Sequence, residues 1–273
     1  MKKIILLFLL FFVEILFVSQ VEAREIKFAV LSDTNISLTK EIINDNGLTN
    51  SINLLQKAVK TLNKSENNFV VFAGNVTAKP DKNNIVIFAK VIRKLKKSNY
   101  VIVGNQDVAQ VSDISKKEFF RLVNLFSHNK IRKIPCVKRI NSNFIFVYMD
   151  GVNQFIPGYA GRFTEDDLIW LDKTLTKHQN KKVVIIQHFP LITKQDTNGF
   201  NTINTDKYLK ILSKHKNVYA IISGHAKADE EIVNDGIYHI GVPSLAASKE
   251  YKEFIIDYNK DRCILKSKIK TLD

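Results

Sequence analysis

One apolar strand that ends in a short polar turn decides the fold of this chain: Tyr100-Val101-Ile102-Val103-Gly104-Asn105-Gln106-Asp107. The apolar run fits a short buried strand, and the glycine lets the backbone turn sharply where the strand stops. Similar polar segments follow other predicted strands: Asp33-Thr34-Asn35, Gly74-Asn75, His188-Phe189-Pro190 and Gly224-His225-Ala226-Lys227. Because the carboxyl ends of parallel strands collect at one sheet edge, where ligands bind, we expect the five segments to converge.

Amphipathic helical segments separate the predicted strands in the first half of the chain. Strands predicted at Ile26–Ser32 and Phe69–Ala73 alternate with helices at Ser51–Leu62, Ile85–Leu95 and Lys116–Leu125. This alternation is typical of βαβ units around a largely parallel sheet.

The second half adds strands that pair in the antiparallel sense. Only a turn separates Ile134–Lys138 from Asn143–Met149, and Asn259-Lys260-Asp261 is a hairpin signal between Glu253–Tyr258 and Cys263–Ile269. Further strands are predicted at Lys182–Ile186, Val218–Ser223 and Ile237–Val242, and a helix is predicted to begin after the N-cap residue Thr164. We therefore predict an α/β fold with two sheets and outer helices, in a single domain over residues 24–273.

The composition of the 273 residues excludes several other classes of protein. Hydrophobic residues make up 45% and aromatic residues 10%, which are globular values. Two cysteines, Cys136 and Cys263, are too few for a disulfide scaffold or a zinc ribbon, and their pairing stays open. The net charge of +14 is spread along the chain, with clusters at Arg93–Lys97 and Lys266–Lys270. Such diffuse lysine indicates no specific nucleic-acid site, although binding to an anionic polymer remains an alternative.

The first 23 residues have the pattern of a signal peptide. Lys2 and Lys3 precede an apolar run from Ile4 to Val13, and Val21-Glu22-Ala23 forms a small-residue cleavage site. We expect a secreted or periplasmic protein that begins at Arg24. An uncleaved segment that anchors the chain to the membrane is the alternative, and only then would a membrane be a partner.

The five segments, in this order, resemble the motifs of the calcineurin-like metallophosphoesterases: DxH, GD, GNH(D/E), HxP and GHxH. The resemblance covers about Ile26 to Ile269 and implies a four-layer α/β/β/α sandwich with two mixed β-sheets. It also implies metal-dependent hydrolysis of phosphoesters, in which two divalent ions share a bridging carboxylate and activate a hydroxide that attacks the phosphate.

The ligands of the first metal implied by this resemblance are mostly replaced. Asp33 is retained, but Asn35 stands at one histidine position, Asn75 at the bridging aspartate and Lys227 at the last histidine. A lysine ammonium cannot bind a metal cation. We therefore interpret Asp33, Asn35 and Lys227 as the remnant of a lost site, and expect the Lys227 ammonium to replace the ion and pair with Asp33.

The second metal position implied by the resemblance is better preserved. Asn105, His188 and His225 match the family, and the neutral Asn75 is again the bridging residue, so these four side chains form a possible weak site. Gln106 stands at the catalytic histidine position and cannot act as an acid, while the acidic residue after it, Asp107, is retained. We expect either no metal or one weakly held Zn²⁺, Mn²⁺ or Fe²⁺.

Three functions remain open from the sequence. The first is an exported phosphoesterase-like protein whose hydrolysis is weak or lost and whose former catalytic edge binds a phosphate-containing small molecule or a protein partner. The second is an active phosphoesterase that uses a single retained metal. The third is a basic binding protein for an anionic polymer or a partner protein.

Overall fold

A computed structural model describes residues 24–38, 51–112, 114–153, 155, 158–195 and 202–272. The strands are β1 Arg24–Leu31, β2 Phe69–Ala73, β3 Ser98–Ile102, β4 Cys136–Arg139, β5 Phe144–Tyr148, β6 Lys182–Gln187, β7 Val218–Ser223, β8 Glu230–Asn234, β9 Ile237–Gly241, β10 Glu250–Tyr258 and β11 Cys263–Thr271. The α-helices are α1 Ser51–Lys64, α2 Lys82–Ile92, α3 Lys116–Phe126, α4 Glu165–Lys177, α5 Thr205–Leu212 and α6 Leu245–Ser248.

The strands form two mixed sheets. The first has the order β11-β10-β1-β2-β3, and the second has the order β4-β5-β6-β7-β9-β8. In the first sheet β1, β2 and β3 run parallel, while β10 pairs antiparallel with both β1 and β11. In the second sheet β5, β6, β7 and β9 run parallel between antiparallel edge strands. The parallel strands of each sheet therefore end at one edge.

Aromatic and aliphatic side chains hold the layers together. Phe28 of the first sheet meets Phe146 of the second, with their ring centroids 5.1 Å apart. On the outer face of the first sheet, buried residues of α1, α2 and α3 join the same core, whereas Leu171 of α4 and Tyr208 of α5 pack with Ile185 in a separate cluster. Helices thus flank both sheets, which confirms the predicted α/β/β/α arrangement.

Local sequence signals account for most elements. Thr164 caps α4, and Asp167 completes the reciprocal pair of hydrogen bonds of a capping box, as the sequence predicts. The antiparallel β4–β5 pair and the β10–β11 hairpin are also confirmed. Strand β8 and helices α5 and α6 were not predicted from the sequence. Strand β8 turns into β9 through Asp235-Gly236, both with positive φ, which is a strong hairpin signal.

Three other expectations concern the termini and the cysteines. The predicted signal peptide, residues 1–23, lies outside the described residues. Among the helices that are described, none combines the length and apolar character needed to cross a membrane. Cys136 and Cys263 are both half-buried and free.

His239 of β9 lies in the interior, where its imidazole makes no hydrogen bond to any residue that the structure describes. Only 3% of the residue is exposed, and neither ring nitrogen has a partner within the described chain. Burial lowers the pKa of His239 to about 4 from an ordinary value of 6.5. The imidazole of the unfolded chain binds a proton more readily than the buried ring does. The free energy of unfolding therefore keeps its full value above pH 6.5 and falls as the pH decreases towards 4.

We expect His239→Leu to stabilise the protein by about 1–3 kcal/mol at pH 7, because it removes unpaired buried polar atoms. The loss of stability between pH 6.5 and 4 should also become shallower. Urea denaturation across this pH range measures both effects. His128→Leu, at an exposed position, is the matched control. A destabilised His239→Leu variant with an unchanged acid slope would contradict this account.

Candidate functional site

The five polar segments lie together where strands of the two sheets end. Those after β1, β2 and β3 come from the first sheet, and those after β6 and β7 come from the second. His188 Nδ1 donates to the Ala73 carbonyl at 2.8 Å and thereby joins the sheets. Gly224 packs so tightly that an added Cβ would lie 1.8 Å from Ser32 Oγ. The convergence predicted from the strand ends is therefore present.

The backbone of this edge is strained at five residues other than glycine. The φ angles are positive at Asp33 (51°), Asn35 (45°), Asn75 (50°), His225 (62°) and Lys227 (56°). Each such residue costs about 1 kcal/mol or more, and strain of this kind is typical of functional sites. All five belong to the motif segments, so the turns that would present ligands are kept although several side chains differ.

Asp33 is fully buried and is stabilised by hydrogen bonds. Its carboxylate accepts from Ser32 Oγ at 2.5 Å, from Asn75 Nδ2 at 3.1 Å and from the His225 backbone N–H at 3.3 Å. The Asn75 side chain is held at its other end as well, because its Oδ1 accepts from the Gln106 backbone N–H at 2.9 Å. An amide of fixed orientation thus stands where the resemblance implies a bridging carboxylate.

The expected ion pair between Lys227 and Asp33 is wrong. Both residues are described, and no ion pair joins them. Lys227 is exposed, although its positive charge contributes to lowering the pKa of both His188 and His225. Hydrogen-bond donors next to Asp33 satisfy the carboxylate instead, so its burial needs no ammonium partner.

His188 and Asn105 direct two lone pairs at each other. Because a carbonyl only accepts, His188 Nδ1 must carry the proton that it donates to Ala73, which leaves the lone pair on Nε2 of the neutral ring. Burial lowers the pKa of His188 and favours this neutral form. Asn105 Nδ2 donates to the Gly158 carbonyl, so its Oδ1 faces His188 Nε2 at 3.2 Å. A cation between these two acceptors would replace their repulsion with attraction.

His225 and Asn35 stand at the remaining ligand positions that the resemblance implies. The His225 ring lies 5.0 Å from the His188 ring, centroid to centroid, and its imidazole is hydrogen-bonded to the Tyr159 backbone. Burial and the neighbouring His188 lower the pKa of His225 to about 4. The Oδ1 atom of Asn35 is buried and has no hydrogen-bond partner among the described residues.

Gln106 and Asp107 occupy different positions at the end of β3. Gln106 is half-buried at the edge, whereas Asp107 is fully buried. The Asp107 carboxylate accepts from the Gly104 N–H at 2.8 Å and from the Thr77 N–H at 2.9 Å. Burial, the strongest influence, raises its pKa to about 7. Asp107, predicted as catalytic, is therefore buried and hydrogen-bonded to the backbone of two turns.

The two metal positions implied by the sequence differ in their fit to an ion. The first does not fit, because Asp33 is its only carboxylate, an Asn75 N–H is directed at that carboxylate, and Lys227 replaces a ligand. The second fits a single ion, since two ligands each about 2.1 Å from one ion lie about 3 Å apart, as His188 Nε2 and Asn105 Oδ1 do. Within the described chain no three His, Cys, Asp or Glu side chains are grouped to hold a metal, so this set is weak.

Several contributors to the edge were not found from the sequence. Ser32 donates to the Asp33 carboxylate, and Ser244 Oγ donates to the Asp33 carbonyl at 3.3 Å. The Gly158–Tyr159 backbone contacts Asn105 and His225. The hydroxyl of Ser32 could have been suspected from its position beside a strand-end aspartate, whereas the backbone contacts leave no mark in the sequence.

Comparison with known proteins agrees with this geometry. No family model matches the chain. It is 26% identical over 167 residues to a probable glycerophosphodiester phosphodiesterase GpdQ of Arcobacter nitrofigilis, a match covering 59% of this chain and 57% of that protein. A dimetal phosphatase from Danio rerio superposes with a TM-score of 0.67 at 16% identity, over 91% of this chain and 99% of that chain. GAP50, the anchor in the inner membrane complex of Plasmodium, superposes with a TM-score of 0.55 at 13% identity, over 91% and 89% of the two chains.

The sequence matches and the structural matches differ in how much of each chain they cover. The chain spans about half the length of the curated relatives that it matches. The structural neighbours are less than 20% identical, and they establish the fold through nearly complete superposition. Two mixed sheets flanked by helices, five motif turns at one edge and a dimetal phosphatase neighbour together show that this chain has the calcineurin-like metallophosphoesterase fold.

Proposed function

We propose that this protein holds one divalent ion between His188, Asn105 and His225, binds a phosphate-containing small molecule beside it, and hydrolyses phosphoesters weakly or not at all. The observation that carries the proposal is the pair of facing acceptors, His188 Nε2 and Asn105 Oδ1, 3.2 Å apart. A proton on a buried imidazole or a metal ion would relieve this contact. Burial lowers the pKa of His188 and keeps the ring neutral, so its Nε2 lone pair is available to a metal ion.

The residues of the chain explain why hydrolysis would be poor. A single bound ion would polarise a phosphate oxygen, but the second ion that completes the clamp has no ligand set. The Gln106 amide is not acidic enough to protonate a leaving group, and the buried Asp107 carboxylate is hydrogen-bonded to backbone donors. The chain can thus position a phosphate through imidazole and amide groups, and Lys227 adds an exposed positive charge at the edge.

The comparisons support a phosphoester ligand without establishing turnover. The curated relatives are named as phosphodiesterases, which favours a phosphodiester over a phosphomonoester as the ligand. GAP50 has the same fold and is described as an anchor, so the fold by itself does not establish hydrolysis in this chain. The export expected from residues 1–23 belongs to the same proposal, and a mature N-terminus at Arg24 would support it.

Metal titration tests the proposal directly. We expect one equivalent of Zn²⁺ or Mn²⁺ to bind per chain, measured by calorimetry after treatment with a chelator, and His188→Ala to abolish this binding. His128→Ala, at an exposed position outside the motifs, should leave it unchanged. With the metal bound, turnover of an aryl phosphodiester should stay close to the rate without protein.

Other results of the metal titration and the turnover assay would contradict the proposal. Two tightly bound equivalents or rapid turnover that depends on His188 would replace the proposal with the active phosphoesterase. Failure of any divalent ion to bind would show that the facing acceptors are relieved by a proton. Lys227→Gln should weaken phosphodiester binding about 2- to 5-fold without changing metal binding, since it removes one exposed charge.

A further inference from the structure

A concave site lies at the opposite end of the molecule from the five motif turns. It is a cleft of about 770 Å³ at the amino ends of β5, β6 and β7, bounded by the turns after α4 and α5 and by the β10–β11 hairpin loop. Five lysines line it, and we call it the lysine cleft: Lys181, Lys182, Lys214, Lys216 and Lys260. No part of the proposed phosphoesterase-like function uses this surface.

Little negative charge balances these lysines. No aspartate or glutamate is among the described residues that line the cleft. Lys216 approaches Asp235 only at 4.0 Å, and both side chains are more than half exposed. The other four lysines form no ion pair with any described residue; Lys181 donates to the Ser142 carbonyl at 2.6 Å. The nearby Asp172 is already paired with His215 at 2.6 Å. The cleft therefore concentrates positive charge that the protein itself leaves uncompensated.

The other lining groups indicate which anion would fit. Asn143, Gln179, Asn180 and Asn259 also line the cleft, and a side-chain amide can donate hydrogen bonds to the oxygen atoms of an anion. The aromatic residues of the cleft, Phe144 and Tyr258, are buried, so they offer no exposed face on which a nucleobase could stack. Lysine, as a point charge on a flexible chain, binds phosphate without the planar geometry that arginine imposes.

We propose that the lysine cleft binds a compact anion that carries several phosphate groups, such as a short polyphosphate. The charges come from three separate parts of the chain and converge on one concavity, which suits a small ligand of high charge density. The volume lies in the range of ordinary small-ligand sites. An extended polymer would instead need a charged track continuing beyond the cleft.

Calorimetric titration with inorganic tripolyphosphate at about 50 mM salt tests this proposal. We expect saturable binding of one equivalent to the full chain in the presence of a chelator, which separates this site from the proposed metal position. The triple variant K181Q/K214Q/K216Q should bind about 10-fold or more weakly, because three charge contacts are lost. The matched control K60Q/K94Q/K117Q changes the net charge equally at exposed lysines elsewhere and should bind normally.

A second measurement keeps the test valid if a variant folds poorly. Tripolyphosphate should protect Lys214 and Lys216 of the unaltered protein from acetylation, as read by mass spectrometry, while Lys60 and Lys117 stay reactive. Equal loss of binding in both triple variants would overturn the proposal in favour of diffuse attraction. Tighter binding of a DNA duplex or of anionic vesicles than of tripolyphosphate would also overturn it. Loss of the metal in His188→Ala leaves this site untouched, so the two proposals fail separately.

Discussion

Asn75→Asp is expected to destabilise the metal-free protein by about 3–5 kcal/mol at pH 7, because it places a second carboxylate against a buried one. In the unaltered chain the Asn75 amide donates to Asp33 Oδ1 at 3.1 Å, and both residues are almost wholly buried. The substitution replaces this attraction with repulsion between two like charges. It also replaces the amide oxygen that accepts from the Gln106 N–H with a carboxylate oxygen, so that two neighbouring buried carboxyl groups compete to be ionised.

Divalent ions should reverse this loss. Two facing carboxylates form a ligand set that the unaltered chain lacks, so Mn²⁺ or Zn²⁺ should restore most of the lost stability to Asn75→Asp and should stabilise the parent protein, with its one weak position, by a smaller amount. Urea denaturation with a chelator and with excess metal measures the difference. Asn234→Asp makes the same charge change on exposed β8 and should alter stability by less than about 0.5 kcal/mol in either condition.

The stability of Asn75→Asp with and without metal tests the role of Asn75 beside Asp33. A destabilised variant that recovers with metal would show that Asn75 keeps Asp33 buried without a cation. A variant as stable as the parent in chelator would contradict the network of Ser32, Asn75 and His225 around the carboxylate. Destabilisation without recovery would show that the distance between residues 33 and 75 is no longer suited to a shared ion.

The sequence was sufficient to predict the features that depend on local periodicity. The strand and helix pattern, the capping box at Thr164 and the order of the five motif turns follow from residue spacing, and this spacing placed Asp33, Asn75, Asn105, His188 and His225 at one edge. Strand β8 was missed because Glu230-Glu231-Ile232-Val233-Asn234 is an edge strand with few apolar residues, so its alternation is weak.

The contacts within the edge could not be predicted in the same way. A balance of formal charges pairs Lys227 with Asp33, but a backbone N–H group and a neighbouring hydroxyl carry no formal charge and still satisfy the carboxylate. The lysine cleft was equally hidden, since Lys181 and Lys260 are distant in the chain and meet only through the packing of a hairpin against two helix ends.

Restoring the family's residues at four positions is expected to produce the largest change of all, from weak or no turnover to metal-dependent hydrolysis. The variant is Asn35→His, Asn75→Asp, Gln106→His and Lys227→His in one chain. The five motif residues already hold left-handed backbone angles, so the turns would need no rebuilding to present new ligands. The buried Asn35 Oδ1 has no hydrogen-bond partner among the described residues. A histidine nitrogen introduced at this position would gain the metal ion as its partner.

We expect this quadruple variant to bind two equivalents of Mn²⁺ or Zn²⁺ and to cleave an aryl phosphodiester about 10³-fold faster than the parent, since two ions together stabilise the attacking and leaving oxygens. Adding His188→Ala should abolish the gain, because it removes the ligand shared with the parent's single position. A folded variant that binds two ions but remains inert would place the defect in substrate positioning. A folded variant that binds no second ion would show that the strained turns no longer keep the geometry of a dinuclear centre, and that replacing the donors was accompanied by remodelling of the edge.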